Sequence, residues 1–454
     1  MARVGIVHFR TGEMDGVSLE IEKYVVVLRK LGHEVHLCAG RSGSPQDVFI
    51  IPELDFDHPS VRFVRSHAFD RCGDFGNEKT VTDEKGLAQA IERLKGAIQE
   101  GFHRFLEEKR IDLLAVHNLF SLPLNLPATL ALLDVVRDRR IPVLAHHHDF
   151  YWEKEGYRPA CALVRKLLRT CYPPSDPGIK HIVINSLAQA RLQLIGLTAS
   201  IIPNVFDFDR ELRSDSFNAR LPEVLGLSPA HVVFLQATRV VPRKGIELAV
   251  DLVSLMSTKR FASVLQRFVR RRGGQGPARP ILLLPNQVED PIYCQALMER
   301  IARRSVDARF VSRWVGACRD EKASKFSLWD VYVYADFVTY PSLQEGWGNQ
   351  FLEAVWAKRP IAVFEYPVFR TDIAPLGFRY VSLGREVQRG DDGLVHVPRL
   401  ILQRAAAEVA HLFSYPEEYE KVVRHNFALG RAFFSLDVLA TALDKLIREM
   451  LNVG

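Results

Sequence analysis

Short apolar runs alternate with longer segments of helical period along this chain. Arg3 to Phe9 is an apolar strand, Val17 to Leu31 places Leu19, Tyr24, Val27, Leu28 and Leu31 at helical spacing, and Glu34 to Ala39 is the next strand. With Gly32-His33 as the break, this first unit spans about forty residues, the usual length of a parallel crossover. The pattern predicts further strands at Val61 to Arg65, Leu113 to His117, Val143 to His147 and His181 to Asn185, with the longest helix over Glu84 to Lys109. Alternation of this kind predicts a parallel sheet covered on both faces.

The pattern then restarts. Val232 to Thr238 is a new strand, Arg239 to Gly245 a loop and Ile246 to Met256 a helix. Strands at Ile281 to Leu284, Arg309 to Trp314, Phe337 to Tyr340 and Ile361 to Phe364 continue it. The join falls near Ile202-Pro203-Asn204-Val205-Phe206-Asp207, where a strand stops at a proline. Domains at 1–205 and 206–429 follow, with a last helix, Leu436 to Leu451 within 430–454, crossing back to the first. Thr258 to Pro280, rich in arginine and holding Gly273-Gly274, interrupts the second half. It reads as a solvated, partly mobile insertion, or as a contact surface for anionic lipid headgroups or another protein.

Composition narrows the class. The 454 residues are too many for one ordinary core, and 47% hydrophobic with 25% charged residues is a globular balance. A net charge of +6 fits an anionic substrate or a plain solvated surface, and no cluster of basic and aromatic residues points to nucleic acid. The cysteines (Cys38, Cys72, Cys161, Cys171, Cys294, Cys318) are scattered without a CxxC pair, which predicts a reducing compartment. No charged-then-apolar leader precedes the first strand and no apolar run is long enough to span a bilayer, so neither a secretory signal nor a membrane helix is expected.

Three loops at predicted strand ends carry unusual chemistry. In Arg239-Val240-Val241-Pro242-Arg243-Lys244-Gly245, two cations flank a helix start, where free amides already favour an anion. A diphosphate fits there; a solvated basic loop is the competing reading. Pro341 to Ala354 holds Glu345 and Glu353 eight residues apart with Gly346 and Gly348 between them. A helix starting near Asn349 puts Glu353 about 6 Å along its axis. Amides of Gly348, Asn349 and Gln350 would then face an anion or hydroxyl, and each carboxylate could hold a hydroxyl pair. Capping of the helix by the two glutamates is the alternative. In Ala145-His146-His147-His148-Asp149-Phe150, His146 and His148 share a face and His147 opposes them. One histidine facing a ligand is the favoured reading over a metal centre, since three adjacent rings rarely converge on one ion.

Together these motifs resemble the family 4 retaining glycosyltransferases of the GT-B fold, over nearly the whole chain. The resemblance implies an α/β protein of two Rossmann-like, doubly wound parallel-sheet domains facing a central cleft. It implies a nucleotide-sugar donor on the C-terminal domain, Arg239 and Lys244 on its diphosphate, Glu345 on the transferred sugar and Glu353 on the ribose. Gly348, Asn349 and Gln350 line the same donor. It places His148 near the reacting centre and the Asp15-Gly16-Val17-Ser18 loop near the diphosphate or acceptor. Arg10, His117, Asn118 and Asp149 fall on the acceptor side, with His8 and Glu13 close by in sequence. The family's later glycine-rich loop is replaced by Tyr366-Pro367-Val368-Phe369-Arg370-Thr371-Asp372, and no role is carried over to it.

The expected activity is retaining transfer of a hexose, mannose or glucose, from GDP-mannose or UDP-glucose to a small, glycan or lipid-linked acceptor. No cofactor and no metal are expected, because cations and helix amides meet the leaving diphosphate. A phosphorylase, a sugar-nucleotide epimerase and a non-catalytic sugar-nucleotide sensor are the alternatives. The expected setting is cytoplasmic, and any membrane contact would be peripheral, at the inner face. Two D-x-D tripeptides, Asp55-Phe56-Asp57 and Asp207-Phe208-Asp209, follow no convincing apolar strand and read as chance.

Overall fold

Seven parallel strands build the first sheet: β1 (Arg3–Val7), β2 (Glu34–Ala39), β3 (Val48–Ile50), β4 (Leu113–His117), β5 (Val143–His147), β6 (Ile179–Val183) and β7 (Ala199–Ile201). Their order is β3-β2-β1-β4-β5-β6-β7. The second sheet has six: β8 (His231–Leu235), β9 (Arg279–Leu284), β10 (Ala308–Phe310), β11 (Phe337–Tyr340), β12 (Ile361–Val363) and β13 (Val381–Ser382), in the order β10-β9-β8-β11-β12-β13. All neighbours in both sheets pair in parallel. The computed structural model describes residues 1–12, 16–43, 47–70, 83–316 and 318–451; Glu13, Asp15 and Cys72 lie outside the described residues.

The chain divides into two units, Met1–Val205 with Leu436–Gly454, and Phe206–Ser435. In the first, helix α1 (Gly16–Lys30) lays Tyr24, Val27 and Leu28 on one face of the sheet. The last helix of the chain, which crosses back at Leu436 and runs Leu436–Leu451, adds Leu439, Leu443, Leu446 and Ile447 to the same core. Their spacing of three and four is the apolar stripe of a helix packed along one side. The opposite core holds Ile91, Ile98, Phe102 and Phe105 of the Glu84–Glu108 helix. In the second unit the helix Ile246–Met256 is buried nearly all round.

Two expectations are corrected. Val61 to Arg65 is not a strand but part of α2 (Pro59–Ala68), begun by Pro59 at its first position. Val61, Val64 and Ala68 face the core at helical spacing, whereas Phe63, which suggested alternation, is 53% exposed. The Thr258–Pro280 stretch is not a loose insertion. It contains the helix Lys259–Arg271, which buries Phe261, Leu265 and Val269 four residues apart. Beyond that stripe, Arg271 bonds to the Phe413 and Ser414 carbonyls and Arg272 to Asp336.

The returning helix is thus part of the first unit's core. Leu443, 1% exposed, should cost about 2–5 kcal/mol of stability when changed to alanine. Urea unfolding reads this directly, and a change below about 0.5 kcal/mol, the scale of a surface substitution, would show that the helix is not docked.

Candidate active site

In the second unit the strand order reverses between β8 and β11, so the loops after these strands open side by side. Open parallel sheets bind ligands at such a switch point. One loop carries Arg239, Arg243 and Lys244, the other Glu345 to Gly348. Gly245 seats them together: its φ is +56°, and a side-chain carbon there would lie 2.6 Å from the Pro341 carbonyl oxygen. The Leu343 amide donates to the Arg243 carbonyl at 2.8 Å along the same seam.

Lys244 is 8% exposed. Its ammonium bonds to Glu345 Oε1, and Arg243 Nη1 donates to Oε2 at 3.0 Å. Burial lowers the Lys244 pKa from its ordinary value, against the opposing pull of Glu345. Burial also acts to raise Glu345, but the Lys244 ammonium and the Arg243 guanidinium outweigh it and hold the carboxyl below its usual range. Arg239 points elsewhere: its Nη1 lies 3.0 Å from both carboxylate oxygens of Glu289. The two expected cations therefore differ, one buried and clamped, one half-exposed on a second acid. Arg243 and Glu289, which the spacing did not single out, complete the arrangement.

Helix α3 (Asn349–Trp356) starts with no acid in its first turn and no side-chain cap. Around its mouth two buried polar atoms lack a partner: Trp347 Nε1 and Gln350 Oε1. Native folds leave few such atoms unmatched, and a cluster of them marks a place where a ligand can supply the partners. The other end of the Gln350 amide is fixed, Nε2 donating to the Thr339 carbonyl at 3.2 Å. Gly348 has a further reason to be glycine. A side-chain carbon there would lie 2.5 Å from Tyr366 Oη, and that hydroxyl bonds to the Trp347 carbonyl. The segment that replaces the glycine-rich loop thus supports the motif from beneath. Glu353, one turn into α3, accepts from the Tyr332 hydroxyl at 3.0 Å.

The first unit reverses its strand order between β1 and β4. His8, after β1, has its Nδ1 2.9 Å from the carbonyl of His117, at the end of β4. Asn118 takes a left-handed φ of 61°. Its side-chain oxygen accepts from the His148 amide at 2.8 Å, and its own amide donates to the His146 carbonyl at 2.9 Å. That stitches the ends of β4 and β5. His117 Nδ1 lies 3.0 Å from His148 Nε2, and the Tyr24 hydroxyl 2.8 Å from His146 Nδ1. His147 points to the other face, where its Nε2 is 2.9 Å from His181 Nδ1.

The rings that gather are therefore His117, His146 and His148, with ligand nitrogens within 4.8 Å of one another, the one such grouping among the described residues. Its third ring comes from β4, a partner thirty residues away that only the sheet order reveals. Burial, then the neighbouring imidazoles, push His117 and His146 well below the ordinary histidine pKa. Neutral rings at the end of a sheet suit a sugar hydroxyl. Of the other acceptor-side residues, Asp149 pairs with Lys154 at 2.9 Å and Arg10 lies over the Phe56 ring; Gly16, expected at the donor, opens α1.

Two doubly wound parallel sheets, each with its polar groups at a switch point, define the GT-B glycosyltransferase architecture. Solved structures of this build match along the chain. Sucrose-phosphate synthase from Thermosynechococcus elongatus aligns over 100% of both chains at 14% identity with a TM-score of 0.59. The catalytic domain of starch synthase IV from Arabidopsis thaliana, bound to ADP and acarbose, aligns over 99% of both at 12% identity and a TM-score of 0.60. Anabaena HepE, in complex with UDP and glucose, covers 99% of this chain at 13% identity and a TM-score of 0.57 over its whole length. At these identities the likeness is one of fold.

No family model matches the sequence. Two curated relatives do. The mannosylglucosylglycerate synthase of Thermotoga maritima is 37% identical over 455 residues, 99% of this chain and 100% of its own length. That of Petrotoga mobilis is 34% identical over 441 residues, 95% and 98% of the two. The chain belongs to the mannosylglucosylglycerate synthase family, and it is a nucleotide-sugar-dependent glycosyltransferase that moves a hexose to a small acceptor. No helix among the described residues is long and apolar enough to cross a membrane.

The buried histidines predict a pH dependence. His181 is lowered by burial from 6.5 to about 4. Between those values the unfolded chain binds the proton and the folded chain resists it, so stability is present above 6.5 and is lost as pH falls towards 4. The urea midpoint should drop across that window, and His181→Gln should flatten the drop. An equal slope in both proteins would mean that His181 accepts its proton without cost in the fold.

Proposed function

We propose that this chain transfers mannose from GDP-mannose to the glucose unit of glucosylglycerate, with retention at the anomeric carbon. The product in the relatives' names ends in mannose, so its last step is a mannosyl transfer. The single observation that carries the donor site is the buried Lys244–Glu345 pair set beside the partnerless atoms of Trp347 and Gln350. An ammonium has three N–H donors; Glu345 takes one and the others are free to turn to a diphosphate. Arg239 can exchange the half-exposed Glu289 for the same phosphates, since an exposed pair is worth little.

As the bond from the anomeric carbon to the diphosphate oxygen breaks, charge grows on that oxygen, and Lys244, Arg239 and the first amides of α3 stabilise it. The acceptor hydroxyl forms the new bond on the same face and passes its proton to the departing phosphate oxygen. The phosphate charge is met by groups of the chain, with no metal required. The described cysteines are unpaired thiols, which supports a cytoplasmic setting.

With glucosylglycerate present, GDP-mannose should yield GDP and an α-mannosylated product, seen by NMR, at a rate that a chelator does not change. Arg239→Lys should raise the KM for the donor about tenfold, because only arginine presents the planar fork. Transfer of glucose from UDP-glucose with GDP-mannose left intact, or a β-linked product, would overturn this reading.

A further inference from the structure

The Lys259–Arg271 helix and the loop that follows it to Pro280 hold no acidic residue. The helix buries Phe261, Leu265 and Val269 along one side. At 3.6 residues per turn, Lys259, Arg260, Ser263, Arg267 and Arg270 then fall within an arc of about 100° on the opposite side. All of them are exposed. Among the described residues none of these four cations pairs with a carboxylate, nor does Arg279, the first residue of β9. Arg260 lies over the ring of Phe261, its sequence neighbour, at 5.3 Å. Another arginine run of the same unit is matched by acids: Arg300 and Arg304 bind Asp251, and Arg303 binds Asp392.

As bare structure this arrangement works against the helix. Lys259 and Arg260 stand in its first turn, where free amides already carry positive charge, and Thr258 supplies no side-chain cap. Arg267 lies three residues from Arg270 and four from Arg271, spacings at which like charges repel. The surface is nonetheless firmly held. Gln266 accepts from the Ala278 amide at 3.0 Å and donates to the Gly276 carbonyl at 2.8 Å, which folds the loop back onto the helix. Arg272 bonds to Asp336, just before β11, and donates to the carbonyl of His231, the first residue of β8, at 2.7 Å. The arginine end of the helix is thereby fixed at the amino edge of the second sheet, whereas the donor loops open at its carboxyl edge.

A rigid, unmatched row of cations fits an extended anionic surface. The exposed positions between the cations are Ala262 and Ser263, so the face offers no aromatic ring to stack on a base and no large apolar side chain to pack against a protein. Two copies of the face would repel each other. What remains is attraction to a field of phosphates, the way a basic helix meets an anionic leaflet. We propose that the Lys259–Arg271 helix lies flat on an anionic phospholipid surface, held by charge without apolar insertion, and leaves the donor loops of its own unit uncovered. This contact depends on no assignment of donor or acceptor.

Sedimentation of the intact protein with vesicles tests it, using phosphatidylcholine alone and phosphatidylcholine mixed equally with phosphatidylglycerol. The wild type should bind the mixed vesicles at about 0.1 M salt, ignore the neutral ones, and come off at about 0.5 M salt. Each cation near such a surface is worth about fivefold in binding. Changing Lys259→Gln, Arg260→Gln, Arg267→Gln and Arg270→Gln together should therefore weaken binding by at least about a hundredfold. A second variant, with Arg93, Arg110, Arg140 and Arg385 changed to glutamine, removes the same charge from scattered exposed positions and should keep most of the affinity. Thermal unfolding at or above the wild-type temperature reports that both variants are folded. No binding to the mixed vesicles at low salt, or equal losses in the two variants, overturns the proposal. So does displacement of the wild type from the mixed vesicles by polyglutamate or single-stranded RNA at equal charge, which would assign the face to an acidic protein or a nucleic acid.

Discussion

A lysine ammonium and a glutamate carboxylate, both largely out of water, meet where two loops of the second unit run side by side. Breaking a buried pair of this kind by removing one partner costs about 3–5 kcal/mol, because the other charge is left stranded. The pair therefore fixes the loops before any ligand arrives. Its existence depends on the strand order that makes β8 and β11 neighbours, and on Gly245, whose conformation and lack of a side chain let the first loop lie against Pro341. Arg243 completes the neutralisation of Glu345. A site assembled in this way has its charges and dipoles already oriented, which is the condition for stabilising charge that develops during a reaction.

The two units solve different problems with the same architecture. Both place their chemistry at the point where strand order reverses. The second unit gathers charges there, as an anionic nucleotide requires. The first gathers desolvated, neutral imidazoles and an asparagine held at positive φ, which offer hydrogen bonds without net charge.

Much of this was legible in the sequence, and the misses have physical causes. The β11 strand, the start of α3 and the final helix follow the hydrophobic pattern to the residue, because each is bounded by a strong local signal. Val61 to Arg65 misled because a five-residue window cannot distinguish alternation from a helix with one exposed phenylalanine; Pro59 and the spacing of Val61, Val64 and Ala68 were the better guide. The Lys259–Arg271 helix was hidden by its arginines, although Phe261, Leu265 and Val269 already formed a stripe. Charge pairing was not legible at all. Arg243 on Glu345, Glu289 on Arg239 and His117 beside His148 join residues tens to a hundred positions apart, and only the order of strands brings them together. The glycine at 348 was read for its backbone amide, whereas the close approach of Tyr366 is a second reason for it that no local pattern encodes.

The central claim is that Lys244 and Glu345 act as one unit in holding the donor diphosphate. Calorimetry of GDP binding to the wild type, Lys244→Met, Glu345→Gln and the double variant tests it most directly. The account predicts that Lys244→Met weakens GDP by at least about tenfold, or about 1.4 kcal/mol. It also predicts that the double variant departs from the sum of the two single effects by more than about 1 kcal/mol. Single effects that add to within about 0.5 kcal/mol, or GDP affinity untouched by the loss of Lys244, would contradict it.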